Sequence, residues 1–322
     1  MLPIDLIRQA QERLRGRVHR TPLVSSAALG ERLGVPVWLK LENLQKTGSF
    51  KARGAFNKML SLTPAERSLG VVAVSGGNHA QAVAYAAREL GVNAVIVMPA
   101  TTPRNYLDAT RGYGAQVVLT PNIRAAFDEA HRLRDDGRVL VHPFDDPILA
   151  AGQGTIGLEI LEDLPGVTHT YISIGGGGLI AGIASAMKAL KPSTAIIGVE
   201  TRGADAMAQA LAAGRPVELP AITSIARTLG APAVSDFTLS NVRELVRDVE
   251  VVDDAATVEA LIFLLERTKY LTEPAASCCL VAADRDRARG VFRPGDQVVL
   301  LLCGGNVSIA DVCTFRSNFP PG

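Results

Sequence analysis

The chain has 322 residues, 48% of them hydrophobic, and a formal net charge of +1. That is enough for one large domain or two ordinary ones with full cores, and it leaves no room for long disorder. Balanced charge without a basic cluster argues against nucleic acid or an anionic membrane as partner, and no apolar run is as long as a membrane span.

In chain order, residues 1–17 read as a charged amphipathic helix without the apolar centre of a signal peptide. An apolar run at 35–41 reads as a buried strand, and residues 55–60 suit a helix. From residue 71 the pattern alternates: strands at 71–74, 93–98, 116–119 and 139–141, helices at 79–90, 104–113 and 123–134. Residues 143–147, with proline at both ends, interrupt the rhythm. A second series brings the helix 148–161, the strand 170–174, the helix 179–190, the strand 195–199 and the helix 204–213. A strand at 249–252, helices at 255–269 and 274–287, a strand at 297–302 and a helix from Ser308 complete the chain. Such alternation implies parallel sheets wrapped by helices, in two α/β lobes with a site between them where strand ends converge. Cys278, Cys279, Cys303 and Cys313 form no Cys-x-x-Cys metal pair and read as reduced thiols, so a cytoplasmic location is expected.

Four stretches carry chemistry. In Lys46-Thr47-Gly48-Ser49-Phe50-Lys51, turn residues follow a strand and Ser49 is placed to cap a helix with Lys51 in its first turn. The field at a helix start lowers an amine's pKa, which suits a nucleophile or base; the alternative is a solvated helix lysine. Ser75-Gly76-Gly77-Asn78-His79 joins a strand to a helix, so its backbone N–H groups suit a carboxylate, unless it is a plain turn with His79 as a packing residue. Gly175, Gly176, Gly177 and Gly178 also follow a strand and open a helix, the setting of a phosphate cradle. With Ala181 and Glu200 they also satisfy a relaxed dinucleotide pattern, so a nicotinamide enzyme competes, although the position is mid-chain and Lys51 is left unexplained. Cys303, in Cys303-Gly304-Gly305-Asn306, ends a buried strand, either at a site or as a small buried thiol.

Together, and in this order, these motifs resemble the pyridoxal-phosphate serine/threonine dehydratases (threonine ammonia-lyases) of fold type II. His142-Pro143-Phe144-Asp145-Asp146 and Ala151-Gly152-Gln153-Gly154-Thr155 belong to the likeness, which runs from about Arg20 to Asn306. The resemblance implies two parallel-sheet α/β lobes of the tryptophan synthase β-like kind with the cofactor between them. Residues 1–46 and 147–322 would form the large cofactor-binding domain and 47–146 the small substrate-side domain. It further implies that Lys51 holds pyridoxal 5'-phosphate as a Schiff base and removes the substrate's α-proton. Phe50 would flank the ring, Asn78 would reach its 3-hydroxyl, the four glycines would hold the phosphate, and Cys303 would face the pyridine nitrogen. Ser75, Gly76, Gly77 and His79 would form the substrate side, with Ser75 and the following N–H groups on the carboxylate. A neutral thiol at that nitrogen weakens the electron sink, which suits loss of a β-hydroxyl more than transamination. The implied reaction converts an L-3-hydroxy amino acid, threonine or serine, to the 2-oxo acid and ammonia, in a homodimer.

Departures from the pattern sharpen this expectation. Serine racemases, similar in sequence, carry a serine as second proton donor at the position of Gly76, so racemisation is demoted. Residues 142–146 and Cys303 argue against the β-replacement synthases of the same fold. An acidic divalent-metal ligand of several relatives is replaced by Ala206. Likeness to the animal-type serine dehydratases implies instead a monovalent cation such as K+ on Glu200 and the carbonyls of Ala204, Leu229 and Ala231; the alternative makes Glu200 a helix-capping carboxylate. Tyr106 stands where many threonine dehydratases have lysine. It either reshapes the pocket for a bulkier substrate such as phenylserine or is a packed surface tyrosine. The chain is also expected to lack the C-terminal regulatory domain of biosynthetic threonine dehydratases.

Overall fold

Short β-branched runs between glycine and proline turns become strands, because their stiff side chains suit a buried pleated ladder. The computed structural model describes residues 1–320. Its strands are β1 (Leu23–Ser25), β2 (Val37–Lys40), β3 (Val71–Val74), β4 (Ala94–Pro99), β5 (Gln116–Thr120), β6 (Val139–Leu140), β7 (His169–Ser173), β8 (Ala195–Thr201), β9 (Asp248–Val252) and β10 (Val298–Leu301). They form one sheet in the order β1-β2-β10-β7-β8-β9 and another in the order β5-β4-β3-β6. The second sheet is parallel throughout, whereas the first carries β1 antiparallel on β2 at its edge. That edge strand has three residues, two half-buried and one exposed, too few for a periodic signal. The two central strands β7 and β10 are buried on both faces, as parallel strands between helix layers are.

After β2 the chain builds the four-stranded sheet and returns through the helix Pro147–Asp163. The lysine-bearing helix Lys51–Ser61 lies on that returning helix where glycines meet: a Cβ on Gly152 would come within 2.8 Å of the Arg53 carbonyl oxygen. This close approach fixes the start of the helix against the returning helix.

Further helices at Ala27–Leu33, Pro64–Leu69 and Asp236–Leu245 go beyond the periodic reading. The first two are too short for the period to show, although Thr63 and Glu66 form a capping box around Pro64. The helix expected over 204–213 begins at Ala206, because the preceding backbone turns back on itself through a bridge between Thr201 and Ala204.

Candidate active site

The carboxyl ends of the strands of both sheets deliver the four motifs to one cleft. Lys51 is the first residue of its helix. The turn before it is forced: Thr47 and Gly48 sit at φ 62° and 73°, left-handed backbone that is strained for threonine. Gly48 is also needed for close approach, since a Cβ there would lie 2.5 Å from the Asn306 Oδ1. The expected Ser49 cap is absent. Ser49 is extended and bridges to Gly304, while the Phe50 N–H donates to the Cys303 carbonyl at 3.0 Å. Pairing with the large lobe therefore overrides capping, and leaves the Ser49 hydroxyl buried without a partner.

The Lys51 Nζ donates to the Pro143 carbonyl at 2.6 Å and lies 5.2 Å from the centroid of the Phe50 ring. Burial lowers its pKa to about 8, against the opposing pull of Cys303 and Glu273. The shift is in the direction anticipated at a helix start, but desolvation is its main cause.

Ser75, Gly76 and Gly77 link β3 to the helix Asn78–Leu90. The Gly77 N–H donates to the Ser75 hydroxyl at 3.0 Å. Asn78 is held from both sides: its Nδ2 donates to Glu273 at 2.9 Å, and its Oδ1 accepts from the Asn306 Nδ2 at 2.7 Å. The Nδ2 also reaches the second Glu273 oxygen, at 3.2 Å, so the amide is clamped on that carboxylate. His79 is turned inward, with its Nε2 at 2.9 Å from the Val141 carbonyl; burial depresses its pKa to about 3, so the ring is neutral. Glu273, unforeseen in the sequence, accepts from Asn78 and from Thr228 at 3.1 Å, and burial raises its pKa to about 7. A glutamate just before Pro274 at a helix start was the available signal.

The four glycines open the helix Gly178–Leu190, with Gly177 at φ 92°. The backbone N–H groups of residues 175–180 engage no acceptor among the described residues. A Cβ on Gly176 would land inside the Phe144 ring, so only glycine lets the loop pass there. Six free amides at the positive end of a helix make a fitting cradle for a phosphate dianion.

Cys303 follows β10, accepts from the Ser173 hydroxyl at 3.3 Å and is 2% exposed; burial drives its thiol pKa well up, so it is neutral. His142 is neutral too: its Nδ1 accepts from the Asp145 N–H at 2.8 Å, and burial lowers its pKa to about 4. Glu200 stands apart from this cleft chemistry. Its oxygens accept from the N–H groups of Met207 and Ala208 at 2.9 and 2.8 Å, which is the helix-capping arrangement, and burial raises its pKa to about 8. Tyr106 donates to the Asn306 carbonyl at 2.6 Å and so ties the small lobe to the loop after Cys303.

A desolvated lysine, an anion cradle and a neutral thiol gathered between two α/β sheets define an enzyme built for a phosphorylated carbonyl cofactor. The chain belongs to the family described as pyridoxal-phosphate dependent enzymes, whose model matches residues 14–304. Pyridoxal phosphate is its cofactor, and the nicotinamide alternative falls away. The chain is 43% identical to the L-threonine ammonia-lyase of Geobacter sulfurreducens, over 97% of its own length and 77% of the relative's. It is 39% identical to the catabolic L-threonine dehydratase of Escherichia coli K12, over 96% and 94%. The structure of maize serine racemase superposes with a TM-score of 0.93 at 38% identity, covering 98% of this chain and 97% of that one.

Proposed function

We propose that the protein is an ammonia-lyase that dehydrates an L-3-hydroxy amino acid, threonine or serine first, and releases the 2-oxo acid and ammonia. The observation that carries this is Lys51, desolvated, in a site that also holds six unengaged amides, the neutral side chains of Cys303 and His79, and Glu273 with its pKa raised to about 7. Bound pyridoxal phosphate supplies an electron sink for the substrate's α-carbon. Its phosphate would lie on the amides of residues 175–180, with Asn78 and Cys303 on its ring. Lys51 would carry the α-proton; its lowered pKa keeps a sizeable neutral fraction near neutrality. Ser75 and the amides after it would fix the substrate carboxylate, and closure of the lobes would exclude water.

Serine racemase chemistry has close structural kin in the maize enzyme, but Gly76 offers no proton donor on the opposite face. Elimination without racemisation is therefore the proposed outcome. Tyr106, within reach of the substrate side through Asn306, supports admission of a larger side chain such as phenyl. The cytoplasm as location rests on the unpaired thiols of Cys278, Cys279, Cys303 and Cys313. Among the described residues no helix is long and apolar enough to cross a membrane. A homodimer is part of the same reading, testable by light scattering. A K+ site on Glu200 and the carbonyls of Ala204, Leu229 and Ala231 is the weaker reading, since both Glu200 oxygens already accept backbone hydrogen bonds.

The test is a panel of L-serine, L-threonine and phenylserine scored for 2-oxo acid, ammonia and D-isomer, with borohydride reduction and peptide mapping to find the cofactor. Label on Lys51 with 2-oxo acid but no matching D-isomer is expected. Sulfide-dependent turnover of O-acetylserine above that of every hydroxy amino acid would overturn the reading in favour of β-replacement.

A further inference from the structure

Gly76 lies after β3, and Thr102 lies in the turn after the neighbouring parallel strand β4, where its N–H donates to the Pro99 carbonyl at 2.9 Å. β3 and β4 are in register, with Val74 opposite Val97 and the Ser75 N–H on the Val97 carbonyl at 3.2 Å. Two loops from the carboxyl ends of adjacent strands therefore meet at the place where α/β sheets put ligands. A Cβ built on Gly76 would lie 2.7 Å from the Thr102 Oγ1, but 3.7 Å from the Thr102 Cβ and Cγ2. The hydroxyl, not the methyl, is the part of Thr102 turned toward the loop. Thr102 is 9% exposed, and its Oγ1 is buried with no hydrogen-bond partner. Burying a hydroxyl unpaired costs free energy, and such groups in native proteins call for a reason.

We infer that Thr102 is a substrate-positioning residue: its hydroxyl occupies the space a side chain at position 76 would fill and completes the carboxylate-binding loop of residues 75–78. The inference rests on the proposed reading that this loop holds the substrate's carboxylate. Gly76 then has a second role besides withholding a proton donor, which is to make room for a hydroxyl from the next strand. The Ser75 hydroxyl accepts from the Gly77 N–H, which holds its oxygen and leaves its own hydrogen to donate, and Thr102 adds a second hydroxyl donor from the neighbouring strand.

The test compares Thr102→Val, Thr102→Ser and the wild type as holoenzymes turning over L-threonine, with the visible absorption of the bound cofactor as a second readout. A hydrogen bond to a charged group is lost in Thr102→Val, so KM should rise roughly 10- to 100-fold. The cofactor spectrum and cofactor affinity should stay as they were, and Thr102→Ser should recover most of the KM. An unchanged KM in Thr102→Val overturns the inference, as does a loss confined to kcat or one that Thr102→Ser shares fully. Should Thr102→Val fold poorly, Thr102→Ala only removes atoms and serves the same comparison. The double variant Gly76→Ser/Thr102→Ala gives an independent check. Gly76→Ser alone should lose activity through the clash, and adding Thr102→Ala should bring it back to the level of Thr102→Ala alone; a double variant no more active than Gly76→Ser sinks the shared-space argument. Failure of the wild type to release 2-oxo acid from any hydroxy amino acid would instead strike the underlying reading.

Discussion

Two residues apart on one helix, Arg53 and Lys51 sit in opposite kinds of interior. Arg53 is 1% exposed and saturated: its guanidinium donates to Glu42 at 2.9 and 2.8 Å, to Glu159 at 2.6 and 2.9 Å, to the Thr155 hydroxyl at 3.1 Å and to the His19 carbonyl at 3.2 Å. Lys40, also buried, completes the cluster on Glu159 at 2.6 Å, so two cations meet two carboxylates. In the motifs gathered with Lys51, by contrast, polar groups wait without partners: the hydroxyls of Thr47, Ser49 and Thr102, the Nδ1 of His79 and the glycine-loop amides. A folded chain satisfies its buried polar groups where they serve stability. Where they are left open in one cleft, ligand atoms are the natural partners. The saturated cluster holds the helix in place, and the unsatisfied one uses it.

The comparison can be broken from either end. Lys51→Ala should cut ammonia release by at least about a thousandfold, with the thermal transition little changed, because it removes the reacting amine and only one structural hydrogen bond, that to the Pro143 carbonyl. Arg53→Leu should do the reverse at first order. It strands Glu42 as a buried unpaired charge and leaves Glu159 with Lys40 alone, a loss of about 3–5 kcal/mol in chemical denaturation. A stable, cofactor-free Arg53→Leu protein would show that the cluster belongs to the site after all.

Smaller effects sharpen the same contrast. Gly176→Ala puts a methyl into the Phe144 ring; an overpacking strain of about 1–3 kcal/mol should appear as weaker cofactor binding, about tenfold, in a titration followed by absorbance. Glu273 is held protonated to about pH 7, well above an ordinary carboxylate. The folded state thus keeps a proton that the unfolded chain has already lost, and stability falls as pH rises toward that value. Glu273→Gln should flatten the fall by about 1–3 kcal/mol between about pH 5 and pH 8.5, read by denaturation at both ends. The smallest change expected is at Tyr106. Tyr106→Phe removes its bond to the Asn306 carbonyl, worth about 1 kcal/mol. Tyr106→Lys should shift the kcat/KM ratio of phenylserine over threonine by about tenfold or less. A constant ratio makes the tyrosine a tie between lobes and nothing more.

Much of this was legible in the residues themselves. The alternation of apolar runs from residue 71 onward set the parallel α/β architecture, since a strand buried on both faces and a following amphipathic helix are local patterns. The glycine loops and the lysine after a turn were readable because backbone N–H groups at a helix start and a displaced amine are chemistry carried by neighbours in sequence. What could not be read is what crosses the fold. β1 reversed on β2, Ser49 drawn from a cap into a bridge with Gly304, and Glu273 brought under Asn78 from 195 residues away all depend on which distant segments meet. Lys51 itself shows the division. Its sequence position announced a lowered pKa, but the cause lay in burial between two lobes, and desolvation is a property of the assembled interior that no single stretch encodes.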